Sequence, residues 1–167
     1  MGDIHQPLHA VSEVDDKFPE GDRGGNDEWI PNVSGVGNLH ALWDSVIYEY
    51  TGYPDLPLSD SDWDSYTKTA SDLASSYPIK SDDVKSSEFE EWAQESLTVA
   101  QTIVYPDFVF NEPVSDEYEN NAKPVIEERL MFGGARLAAL IQDIYGASSE
   151  DKDIMLEFTD MVLEFLQ

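Results

Sequence analysis

Two of the three histidines in this 167-residue chain lie within its first ten residues, "MGDIHQPLHA", beside an aspartate. The third stands in "NLHALWD", four residues ahead of another aspartate. The i, i+4 spacing of His40 and Asp44 brings both side chains to one helix face, where they can grip one ion. His9 could complete a two-histidine, one-aspartate set, which suits zinc and leaves a position open for water or a phosphate oxygen. Asp3 lies six residues before His9, near enough to join the same cleft. The same spacing also describes an ordinary pair on a helix surface, and the residues alone leave both readings open. His5 reads as a surface or supporting histidine, and Gly24 and Gly25 of "DRGGND" as loop glycines with no specificity of their own.

Composition narrows the partners of such a site. The chain has 35 acidic residues against 9 basic ones, a formal charge of -26, so its surface repels itself and attracts cations. A groove lined with Lys and Arg for a nucleic-acid backbone is excluded on that balance. A phosphate bound here needs another source of positive charge, and a metal ion is the strongest local one. With no cysteine there is neither a disulfide framework nor a thiolate zinc site, so a transition metal must be held by His, Asp and Glu. No apolar run reaches the roughly 18 residues of a membrane span. No basic stretch followed by an apolar one reads as a signal peptide. No obligate protein partner is evident.

The elements that must position these residues read as helices. With 41% hydrophobic residues the chain is long enough for one core, and one domain is expected. Residues ahead of about 38 are rich in Gly, Asp and Pro and read as a long loop. "NLHALWDSVIYEYTG" places Leu39, Leu42, Trp43, Val46, Ile47 and Tyr50 at helical spacing, with Asn38 capping the start and Gly52 the end. "SDSDWDSYTKTASDLASSY" starts on Ser/Asp caps, and "SSEFEEWAQESLTVAQTIVY" runs until Pro106 stops it. "PVIEERLMFGGARLAALIQDIYG" is apolar nearly all round from Leu130 to Ile144. It predicts a central buried helix starting at Pro124 and stopping at Gly146, with Gly133 and Gly134 offset by a closely approaching neighbour. Residues 146–167 carry Ile154, Met155, Phe158, Met161, Val162 and Phe165 along one stripe, an acidic amphipathic helical tail. No internal repeat and no long alternating strand pattern is found, so the fold class is all-α.

The order of "GDIHQPLH", "DRGGN" and "NLHALWD" resembles the zinc-dependent single-strand-specific nucleases of fungi and plants, the class I nucleases, with the related 3'-nucleotidases. Their pattern is H-x-x-G-D-x-x-Q-P-x-H, then G-G-N, then N-L-H-x-x-W-D. The resemblance extends through "EWAQES", "VYPD" and "VIEERLMFGGARLAALIQDIY", and so covers residues 1–145, leaving 146–167 outside it. It implies an all-helical fold of the zinc-dependent phospholipase C and single-strand nuclease type, holding a cluster of three zinc ions. It also implies hydrolysis of RNA and single-stranded DNA to 5'-phosphate products and removal of 3'-phosphates from nucleotides.

By matched position, His9, His40 and Asp44 form the complete ligand set of one zinc. Asp3 matches the catalytic carboxylate that bridges the other two. Asn26, in the loop shaped by Gly24 and Gly25, falls where the family hydrogen-bonds a base next to the scissile phosphate, and His5 falls at a variable position. The family's remaining ligands would precede Met1, so the chain is expected to be the C-terminal part of a longer enzyme, lacking its N-terminal helices and its leader. Such a part should bind one zinc without efficient turnover. Asn32 in "NVS" is a glycosylation sequon, which fits a protein secreted or lumenal at full length. Two rival readings remain. A zinc-dependent phospholipase C shares the fold and a similar G-D-x-x-Q-P-x-H stretch, although "GGN" and "NLHALWD" favour the nuclease. A non-catalytic metal-binding or interaction module could keep this part of the fold without the chemistry.

Overall fold

The computed structural model describes residues 1–51, 54–80, 84 and 89–145. These contain five α-helices: α1 (Gly2–His5), α2 (Leu39–Asp44), α3 (Asp60–Ser76), α4 (Phe89–Val99) and α5 (Asp116–Tyr145). Among the described residues the only sheet is an antiparallel hairpin of β1 (Trp29–Val33) and β2 (Val36–Asn38). The all-α expectation therefore holds. The chain divides into two compact units, one of Gly2–Gly52 with Glu88–Arg129 and the other of Met1, Tyr53–Ser87 and Leu130–Gln167. Every candidate site residue lies in the first of these.

The first unit has a continuous core. Leu39, Leu42 and Trp43 of α2 are buried against Leu8, Ile30, Val36, Ala100, Val104, Tyr118, Ala122 and Ile126. Burial of each such side chain is worth about 1.5–3 kcal/mol relative to exposure. The indole of Trp43 donates to the Tyr118 hydroxyl at 2.8 Å, and that hydroxyl donates to the Val104 carbonyl at 2.7 Å. One buried hydrogen-bond chain thus ties α2 to α5 and to the end of the α4 segment. Burial holds the Tyr118 hydroxyl well above the usual phenol range, so it stays a donor.

Several expectations are corrected. The stretch ahead of residue 38 is not all loop. Gln6 caps a 3-10 turn, Pro7–His9, by accepting from the Leu8 amide, and the Ser34-Gly35 pair at positive φ makes the two-residue turn that closes the hairpin. The helix begun at Asn38 ends at Asp44 instead of running to Tyr50. The Ser45 hydroxyl donates to the Leu42 carbonyl and accepts from the Tyr48 amide, offering the backbone an alternative to the next helical turn. Val46, Ile47 and Tyr48 then turn left-handed, at a cost of about 1–2 kcal/mol per residue, which burial of Val46 and Ile47 opposes. Gly52 lies outside the described residues.

Segment α3 starts as expected, on a capping box in which Ser59 and Asp62 satisfy each other's backbone amides. α4 continues into a π turn, Ala100–Val104, and ends at Tyr105, before Pro106. Pro124 does not start the last described helix. α5 begins eight residues earlier, where Ser115 accepts from the Tyr118 amide ahead of an acidic first turn. Tyr118, Ala122, Ile126 and Arg129 form its buried stripe and carry it through the proline. The apolar stretch from Leu130 to Ile144 is not a buried centre, because Leu130, Leu137 and Ile144 are exposed. At Gly134 an added Cβ would meet nothing within 4 Å, so no neighbour approaches it closely. Gly146 and the tail 146–167 lie outside the described residues.

Candidate metal centre

The side chains that α2 does not bury form one half of the site. Asn38 caps the helix by accepting from the Ala41 amide at 2.7 Å, and burial of Leu39, Leu42 and Trp43 fixes its rotation. His40 and Asp44 are left on the outward face, their Nε2 and Oδ2 atoms 3.4 Å apart. The 3-10 turn supplies the other half. Pro7 and Leu8 are buried, and His9 stacks on His40 with ring centroids 5.0 Å apart and an interplanar angle of 21°. One ligand atom from each of His9, His40 and Asp44 lies within 4.8 Å of the others.

A hydrogen bond behind this group assigns the tautomer of His40. The Nδ1 atom of His40 donates to the Gly24 carbonyl at 2.7 Å, and Nδ1 of His9 faces Oδ1 of Asp3 at 3.3 Å. With Nδ1 of His40 protonated, its Nε2 presents a lone pair, and Nε2 of His9 stands 3.2 Å from it. Two imidazole nitrogens and a carboxylate that converge in this way are a donor set for a divalent cation. Ligand atoms held at about 2.0–2.1 Å by a tetrahedral zinc are themselves separated by about 3.3 Å. The His9–His40 and His40–Asp44 separations fit that edge, and His9 to Asp44, at 3.9 Å, is slightly open. The donor set and its spacing therefore fit zinc. Gln6 orients Asp44, since its amide donates to Oδ1 of Asp44 at 2.9 Å.

The other expected residues are placed as follows. Asp3 is 94% exposed and stands behind His9, outside the three-residue group. Gly24 has φ +63, and a Cβ there would stand 2.4 Å from the Leu8 carbonyl oxygen, so only glycine fits. The Gly25 carbonyl accepts the backbone amide of His40. Asn26 is half-buried beside them, its side-chain amide donating to the Arg23 carbonyl at 3.0 Å. Asn32 is exposed on β1 and accepts from the Gly35 amide. His5 is buried against Trp92, and its carbonyl accepts from Nε of Arg129, a packing position away from the ligand group.

Four supporting residues escaped the sequence reading: Gln6, Asp22, Tyr105 and Arg129. The proline after Gln6 marks a helical start, and an Asp before Arg-Gly-Gly is an ordinary turn signal, so two had a local trace. Tyr105 and Arg129 had none, because their partners lie 83 and 124 residues away. Glu13, Asp22 and Glu28 form a second acidic group, and burial pushes the carboxyls of Glu13 and Glu28 up. Lys17 already compensates that group through its 3.0 Å ion pair with Glu28.

Comparison with known proteins shows the family. The S1/P1 Nuclease family model matches residues 1–146. The chain is 33% identical to Endonuclease 2 of Arabidopsis thaliana over 152 residues, which cover 87% of this chain and 49% of the relative. It is 32% identical to Endonuclease 5 of the same plant, over 88% of this chain and 49% of that protein. It is 29% identical to Nuclease S1 of Aspergillus oryzae, over 83% and 49%. The chain thus spans about half the length of the curated relatives it matches. No solved structure gives a significant match. A helical unit that brings His9, His40 and Asp44 together, matched by one family model over nearly all of its length, makes this chain a member of the S1/P1 nuclease family.

Proposed function

We propose that His9, His40 and Asp44 hold one zinc ion, and that the chain serves a zinc-dependent endonuclease acting on RNA and single-stranded DNA to give 5'-phosphates, with 3'-nucleotidase activity. The observation that carries this reading is the 3.2 Å approach of the two Nε2 atoms beside a carboxylate. Bound zinc would supply Lewis-acid polarisation of a phosphoryl oxygen at that point. The chain's own residues orient and select. The Gly24 carbonyl holds the His40 imidazole by its Nδ1 proton, Asp3 faces Nδ1 of His9, and Gln6 holds Asp44. Asn26 offers its side chain to a base edge from the Gly24-Gly25 loop. A charge of -26 leaves the metal centre as the place where phosphate gathers, which favours a flexible strand gripped at one phosphate and an adjacent base.

Asp3 is proposed as the catalytic carboxylate bridging two further zinc ions, and its exposure leaves an oxygen accessible for that role. Among the described residues one histidine-containing group can hold a metal, and zinc binding without efficient turnover is proposed for this chain on its own. Residues 1–145 are read as part of a nuclease domain and 146–167 as a tail outside it. A glycan on the exposed Asn32 fits a secreted or lumenal full-length protein. No described helix is long and apolar enough to cross a membrane.

Elemental analysis of the purified chain and of His40→Ala tests the reading. About one zinc per chain, lost in the variant, is the expected result. A folded wild-type chain that holds none overturns it.

A further inference from the structure

Asp22 has no place among the ligands, yet its side chain is completely buried and binds five donors. Its Oδ1 accepts from the Glu13 amide at 2.8 Å, the Gly24 amide at 3.0 Å and the Ser12 hydroxyl at 3.1 Å. Its Oδ2 accepts from the Gly25 amide and the Tyr105 hydroxyl, both at 2.8 Å. The Gly25 amide and the Gly24 carbonyl belong to one peptide unit. In a trans peptide the N–H and C=O point in opposite directions. A carboxylate that draws the N–H toward itself therefore aims the C=O away, and here that carbonyl meets Nδ1 of His40 at 2.7 Å.

We propose that Asp22 is a positioning residue for the metal centre, acting through the Gly24-Gly25 peptide to hold His40 in the tautomer whose Nε2 lone pair faces His9 and Asp44. The arrangement is a carboxylate–histidine pair with a peptide group inserted between its members. Hydrogen bonds in series polarise one another, so the carboxylate makes the Gly24 oxygen a better acceptor. The second bond from this loop, from the His40 amide to the Gly25 carbonyl, fixes the backbone of the same histidine. Tyr105 completes the device from the far side. Its hydroxyl, kept protonated by burial and by the neighbouring carboxylate, can only support Asp22 as a donor.

The inference rests on the zinc reading for its purpose, and the test separates the two. The ¹⁵N resonances of the His40 imidazole, recorded without metal at about pH 8.5, report the tautomer directly. Zinc affinity is measured in parallel for wild type, Asp22→Asn, Tyr105→Phe and His40→Ala. The wild type should show the Nδ1–H form. In Asp22→Asn one acceptor oxygen is lost whichever way the amide turns, so the Nδ1–H fraction should fall and zinc should bind about 10–100-fold more weakly. Tyr105→Phe keeps the ring and should shift both readouts in the same direction by less. A folded Asp22→Asn with unchanged tautomer overturns the proposal even if its melting temperature falls, since that is what a purely structural role would give. Should Asp22→Asn fail to fold, Tyr105→Phe decides, and unchanged tautomer and affinity there overturn it. If the wild type binds no zinc, the functional reading fails while the tautomer measurement still decides this one.

Discussion

Nε2 of His9 and Nε2 of His40 stand 3.2 Å apart although 31 residues separate them in the chain. The contact depends on two unrelated local structures, a capped 3-10 turn and a six-residue helix, each rotated by the residues it buries.

Gln6→Ala removes both the cap of the 3-10 turn and the hydrogen bond to Asp44. Zinc affinity should fall about tenfold. Stability should fall by about 1 kcal/mol. Metal titration and denaturant unfolding check the two effects separately, and a variant that loses stability but binds zinc as the wild type does removes Gln6 from the site.

Glu13 and Glu28 should make the metal-free protein more stable in mild acid. Burial is the main cause that raises both carboxyls above 4.5 in the folded state, with Lys17 partly offsetting it at Glu28. An acid raised on folding binds more protons folded than unfolded, so stability grows as pH falls through the raised folded value toward 4.5. The melting temperature, measured with chelator present, should be higher near about pH 5 than at pH 7.5. Glu13→Gln should raise it at pH 7.5 and flatten the dependence. A melting temperature that falls steadily between those pH values contradicts the assignment.

Two glycine substitutions should act in opposite directions. Gly24→Ala places a Cβ 2.4 Å from the Leu8 carbonyl oxygen at positive φ, and should cost on the order of 1–3 kcal/mol and release zinc. Gly134→Ala lies within α5 with open space around it, and should add roughly 0.5–1 kcal/mol. Urea unfolding of both variants measures the contrast.

The sequence by itself determined the helical class, the capped starts of α2 and α3, the stop at Pro106 and the i, i+4 pair of His40 and Asp44. Each of these depends on neighbours within a few residues, and local side-chain chemistry reports them directly. Ser45 and Ser115 were also local signals, yet their effects appear only when Val46, Ile47 and Tyr118 find a core to enter. Tertiary structure alone decided that α2 ends at Asp44, that α5 runs through Pro124, and that Leu130, Leu137 and Ile144 of α5 are exposed. It also decided the meeting of His9 with His40 and the bond from Tyr105 to Asp22. Those outcomes depend on which distant surfaces are buried together, and the free energy of that burial exceeds the preference of any single residue for helix, turn or exposure.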